Sequence, residues 1–88
     1  MRKAIVVWVT EANALPESRL RVRFSDGAEG EVDLKEFIVA DHRPIVAELR
    51  NPATFAAIRV EMDTVVWANG FDLAPEFLYA KAQAHSPA

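Results

Sequence analysis

Four residues late in the chain have types and spacing that could do chemistry: Trp67, Asn69, Gly70 and Asp72. An Asn amide and an Asp carboxylate beside an indole could orient a polar ligand. Trp67, Asn69 and Asp72 therefore form a candidate ligand-binding or catalytic site. The same types also have a local structural use. Asn69-Gly70 makes a tight turn, Asp72 suits the backbone N–H groups that open a helix, and Trp67 packs inside. Local capping explains each residue, so structure is the favoured account of this box.

The other chemistry-bearing residues are sparser. Arg19, Arg21 and Arg23 alternate along one segment and form a candidate nucleic-acid stripe. His42 lies between Asp41 and Arg43, and His85 lies near the end of the chain. Two distant His residues do not supply the three protein ligands typical of catalytic zinc, so no metal is expected. The carboxylates are scattered over polar faces and caps, without the clustered acid and base that catalysis needs. Ser18, Ser25 and Ser86 lack a G-x-S-x-G context, and no phosphate-cradling glycine loop is present. No cofactor is called for, and the reading leans away from an enzyme.

Composition narrows the class further. The 88 residues allow one domain, and 51% of them are apolar. Fifteen of the apolar residues are Ala, which still leaves enough large side chains for one core. The longest apolar run, Ala4 to Val9, is strand-length and far short of a membrane span. Absent Cys excludes disulfides and thiolate chemistry, and fits a reducing cytoplasm. The net charge is −3, which argues against nucleic acid as a partner. Residues 1–24 nevertheless carry +3 and the remainder −6.

Periodicity supplies the elements that must position these side chains. Ala4 to Thr10 is β-branched and reads as a strand, and Ala12 to Ser18 reads as a loop around Pro16. Arg19 to Phe24 alternates, with Leu20, Val22 and Phe24 on one face and the three arginines on the other. A connection with an odd number of residues around Asp26-Gly27 keeps the faces matched. It sets Leu20 against Leu34, Val22 against Val32, Arg23 against Glu31 and Arg21 against Asp33, leaving Arg19 without a partner. Gly27 or Gly30 supplies the left-handed residue.

Asp33 to Glu36 has the cap pattern of a short helix, and Pro44 suits the first position of a second. Asn51-Pro52 ends that helix, and Thr54 to Ala57 adds a helical turn. Ile58 to Met62 and Val65 to Trp67 form a hairpin around Asp63-Thr64, aligning Met62 with Val65 and Val60 with Trp67. A last helix runs from Pro75 to about Gln83. The sum is α+β: a small, mainly antiparallel sheet of about five strands built from hairpins, with two to four short helices including a C-terminal one. Residues 1–84 form the domain and residues 85–88 a frayed tail.

The string Val66 to Tyr79, VWANGFDLAPEFLY, resembles the W-P-N-G-A-D-L-x-P-E-x-L-Y box of a bacterial family, the domain of unknown function 2442. Phe24-Ser25-Asp26-Gly27 and Val32-Asp33-Leu34 resemble the family's upstream F-x-D-G and V-D-L motifs. Ala68 replaces the usual Pro and Phe71 a usual small residue. The resemblance implies a small α+β domain, in some members followed by a DNA-binding helix-turn-helix, and toxin–antitoxin-like gene neighbourhoods. It implies no catalytic residues. This chain ends soon after Tyr79, so the helix-turn-helix is expected to be absent.

Protein–protein contact is the function this reading favours. The first strand carries Ile5, Val7 and Val9 on one face and Val6 and Trp8 on the other, and one face needs cover. Val6 and Trp8 are therefore candidate interface residues, for a protein partner or a second copy. The expectation is a cytoplasmic binding or regulatory module. The alternatives are a ligand site at Trp67, Asn69 and Asp72, or a DNA-contacting dimer through the Arg stripe.

Overall fold

The computed structural model describes residues 7–85. Its elements are β1 (Val9–Leu15), β2 (Arg19–Phe24), β3 (Glu29–Asp33), α1 (Lys35–Ala40), α2 (Pro44–Ala47) running into a 3₁₀ turn (Glu48–Arg50), α3 (Pro52–Ala56), β4 (Ile58–Glu61), β5 (Thr64–Trp67), β6 (Asp72–Leu73) and α4 (Pro75–His85). The fold is α+β and antiparallel, as its hairpins imply. Six strands form two three-stranded sheets, β1-β2-β3 and β4-β5-β6, where one sheet of about five was expected. The added strand is β6, two residues long, which follows directly from the turn after Trp67.

β1 corrects the first reading. Its strand begins at Val9 and runs through Leu15, across residues expected to be a loop. Ala12 and Ala14 have weak strand preference, yet pairing with Val22 and Leu20 of β2 satisfies their backbone and turns them toward the core. Residues 4–6 of the expected strand lie outside the described residues.

The β2–β3 register also differs. Leu20 pairs with Val32, Arg21 with Glu31 and Arg23 with Glu29, each partner two residues earlier than expected. The connection is odd, as face parity requires, and it pivots on Asp26. Phe24 exchanges backbone bonds with Ala28 and Gly27, the Asp26 carboxylate accepts the Ala28 N–H at 2.9 Å, and Gly27 takes the left-handed conformation at φ +89°. Gly30 has another use. A Cβ there would meet Ala82 at 3.3 Å, so its bare backbone lets α4 pack on β3.

In the second hairpin the two-residue turn is Met62-Asp63, one residue earlier than expected. Ile58 consequently pairs with Trp67 and Val60 with Val65. The helices follow their punctuation. Pro44 and Pro52 open α2 and α3, and the Asn51 side chain accepts the Ala53 and Thr54 N–H groups. The expected capping box of α1 is replaced by one bond, Asp33 Oδ1 from the Lys35 N–H at 3.0 Å. The Ala-rich end carries α4 to His85, beyond its expected stop.

One hydrophobic cluster serves both sheets. Leu20, Val22 and Val32 enter it from the first, Val65 and Trp67 from the second, with Ile38, Phe55 and Leu78 from the helices. Burying a large apolar side chain contributes about 1.5–3 kcal/mol each, which orders two small sheets that neither hairpin would hold alone.

Candidate functional site

The box from Trp67 to Phe71 is built inward. Trp67 is fully buried, and its ring lies 5.9 Å from that of Phe55 and 5.7 Å from that of Phe71. Its indole N–H donates to the Phe55 carbonyl at 3.0 Å, so the one polar atom of the side chain is satisfied. The turn closes with Gly70 N–H on the Trp67 carbonyl and Trp67 N–H on the Phe71 carbonyl. Gly70 sits at φ +94°, a conformation that any residue with a side chain adopts at a cost.

Asn69 joins the turn to the helices. Its Nδ2 donates to the Ile45 carbonyl at 3.1 Å and to Glu48 Oε1 at 2.7 Å, while its Oδ1 accepts the Phe71 N–H at 3.0 Å. Phe71 is buried, and the Arg43 guanidinium lies 5.6 Å above its ring. Arg43 in turn grips Asp41, at 2.7 Å for the shortest contact. That guanidinium, helped by the Arg43 N–H, holds the Asp41 carboxyl well below its ordinary value, at about 2.

Asp72 does not join this group. It is exposed in β6, and its carboxylate makes no hydrogen bond or ion pair with the described residues, so the expected cap on α4 is not formed. The structure therefore separates the three residues of the candidate ligand site. Trp67 faces the core, Asn69 bonds α2 and the 3₁₀ turn, and Asp72 faces water.

The arginine face is closed by carboxylates. Arg19 bonds Glu31 at 2.9 Å, and Arg21 and Arg23 share Glu29, each at 2.9 Å, with Glu11 3.8 Å from Arg23. The expected partners Glu31 for Arg23 and Asp33 for Arg21 are replaced, and Arg19 is paired, because the register moves by two. Arg23 first and Arg21 second hold the Glu29 carboxyl below its ordinary value.

Of the candidate interface residues, Trp8 is 43% exposed, whereas Val7 and Val9 on either side are buried. Val6 lies outside the described residues. Met62 is a further exposed apolar residue, 89% accessible at the tip of the β4–β5 hairpin. Sequence periodicity misses it by placing it within the strand. Pairing Glu61 with Thr64 would have exposed Met62-Asp63 as the turn. Among the described residues no group of three or more His, Cys, Asp or Glu side chains could hold a metal, and no helix is long and apolar enough to cross a membrane.

Comparison with known proteins gives this geometry a family. The model of the family described as protein of unknown function, DUF2442, matches residues 9–84. The chain belongs to that family. No curated protein matches it. The DUF2442 domain is similar in structure to a candidate DNA-binding protein, NE0471, from Nitrosomonas europaea. The TM-score is 0.77 and the identity 27%, over 96% of this chain and 54% of the other. The chain thus spans about half the length of that solved relative. In this DUF2442 domain the large apolar residues of the box, Trp67, Phe71, Leu73 and Leu78, are buried. Trp67, Asn69, Gly70 and Phe71 hold the second sheet against α2 and α3.

Proposed function

We propose that this DUF2442 domain is a binding or regulatory module acting through protein–protein contact, with Trp8 and Met62 at the contact face. The observation that carries this reading is Met62. A methionine occupies a left-handed turn position at φ 53° and presents 89% of its surface to water. Both choices oppose folding, since left-handed backbone costs a side-chain residue about 1–2 kcal/mol and an exposed thioether gains nothing. A contact made by that side chain supplies the missing reason. The Val9 N–H to Asp63 carbonyl bond, at 2.9 Å, sets Trp8 and Met62 each next to one end of the same link.

A partner encoded in a toxin–antitoxin-like neighbourhood is the sharpest form of this proposal, and a second copy the simplest. Light scattering across a concentration series, alone and after co-expression with the neighbouring gene product, tests both forms. The expected result is a complex that Met62→Asp disperses without unfolding the domain. A monomer in both settings removes the proposal.

DNA contact is the second reading, favoured by the name of the Nitrosomonas europaea protein. The paired arginines weigh against it, because a guanidinium bonded to a carboxylate offers less to phosphate. A salt titration of duplex binding checks this. A steep loss of affinity with salt, reduced by Arg21→Ala, would favour DNA over protein.

A further inference from the structure

On the side of Phe55 and away from Met62, the β1–β2 turn and α3 enclose a groove of about 410 Å³, within the size range of small-ligand sites. Leu49 and Phe55 are buried beneath it, and Leu15, Pro16 and Pro52 form apolar walls. The turn that makes one wall is held in shape. Glu17 and Ser18 are both left-handed, at φ 65° and 60°, and the Ser18 carbonyl accepts the Leu34 N–H at 2.9 Å.

Arg50 stands on the opposite wall. Arg19, Arg21, Arg23, Arg43 and Arg59 each pair with a carboxylate, whereas Arg50 has no carboxylate partner among the described residues. Its Nη2 makes long contacts, 3.5 and 3.4 Å, to the Ile38 and Val39 carbonyls, and its other guanidinium N–H groups have no partner among the described residues. A guanidinium without a carboxylate partner, on a residue that lines an apolar groove, is complementary to an amphiphilic anion. Glu17 on the facing wall, also without an ion pair among the described residues, disfavours a second negative charge on the same molecule.

We propose that this groove binds small apolar monocarboxylates, with the aliphatic body over Leu49 and Phe55 and the carboxylate on Arg50. The site is separate from the Trp8 and Met62 face, so the two proposals stand independently.

The test compares decanoate, decanol and decanedioate, each below its micellar concentration, by amide chemical-shift titration of the whole chain. Decanoate is expected to give saturable shifts at Leu15, Ser18 and Phe55, with decanol about tenfold weaker for want of the charged contact. Decanedioate should bind less well than decanoate, and Glu17→Gln should narrow that gap. Arg50→Gln should bring decanoate down to the level of decanol. The head-group comparison on the unaltered chain holds even if Arg50→Gln loosens the end of α1. Absence of saturable shifts in the groove, or equal binding of decanoate and decanol, would overturn the proposal.

Discussion

Two turns of the same small sheet are built by opposite rules. The β5–β6 turn uses Asn69 and Gly70, residues whose types suit it, and ties both ends into the core through Trp67 and Phe71. The β4–β5 turn uses Met62 and Asp63, both left-handed at φ 53° and 68°, and carries a methionine out into water. A two-residue turn of this hand ordinarily takes Asn or Gly, so Asp63 is tolerated and Met62 is the departure. The more conspicuous motif is thus the one whose side chains are tied into the fold. Where a residue breaks a local rule with no compensating contact inside the domain, an outside contact is the better explanation.

That contrast can be broken from either side. The largest effect should come from Trp67→Ala, which removes a fully buried ring and its bond to Phe55. A loss of about 3–5 kcal/mol is expected, enough to unfold much of so small a domain, read from the urea midpoint. Asn69→Ala should cost about 1–3 kcal/mol, because the Ile45 carbonyl and Phe71 N–H lose their partner. An unchanged midpoint would free the box for a ligand role.

Met62→Asn should act in the other direction. Relief of the left-handed strain should raise stability by about 1 kcal/mol while association weakens, seen by pairing the urea midpoint with light scattering. Lower stability would mean that Met62 serves the fold after all, and the two turns would no longer differ in kind.

The smallest effect concerns Asp41, whose carboxyl Arg43 holds at about 2 against an ordinary 3.8. A carboxylate with a depressed folded-state value contributes stability that is complete above the ordinary value and is lost as the pH falls toward 2. Arg43→Ala should return the Asp41 titration, followed by NMR, toward 3.8 and flatten that part of the acid limb. A titration midpoint that stays near 2 would show that the Arg43 side chain is not what holds it.

Much of this was legible in local pattern. The alternation of Leu20, Val22 and Phe24 set the core face of β2, Pro44 marked the start of α2, and Asn69-Gly70 marked its turn, whereas Pro52, expected only to end α2, opens α3 two residues before the expected helical turn. Registers were not legible, because shifting a partner by two residues preserves every face. Hydrophobic pattern cannot distinguish Val22 opposite Val32 from Val22 opposite Gly30. The groove was equally hidden, since Leu15 and Phe55 belong to segments far apart in sequence.

The sequence by itself determined the class of fold, the faces of its strands and the family box, because periodicity, capping and turn chemistry act over a few residues. Only the tertiary structure decided that the strands divide into two sheets, that Glu11 to Leu15 is strand, and that Trp67, Asn69 and Asp72 do not converge. Those outcomes depend on which distant backbone groups and side chains satisfy one another, a competition that no local window contains.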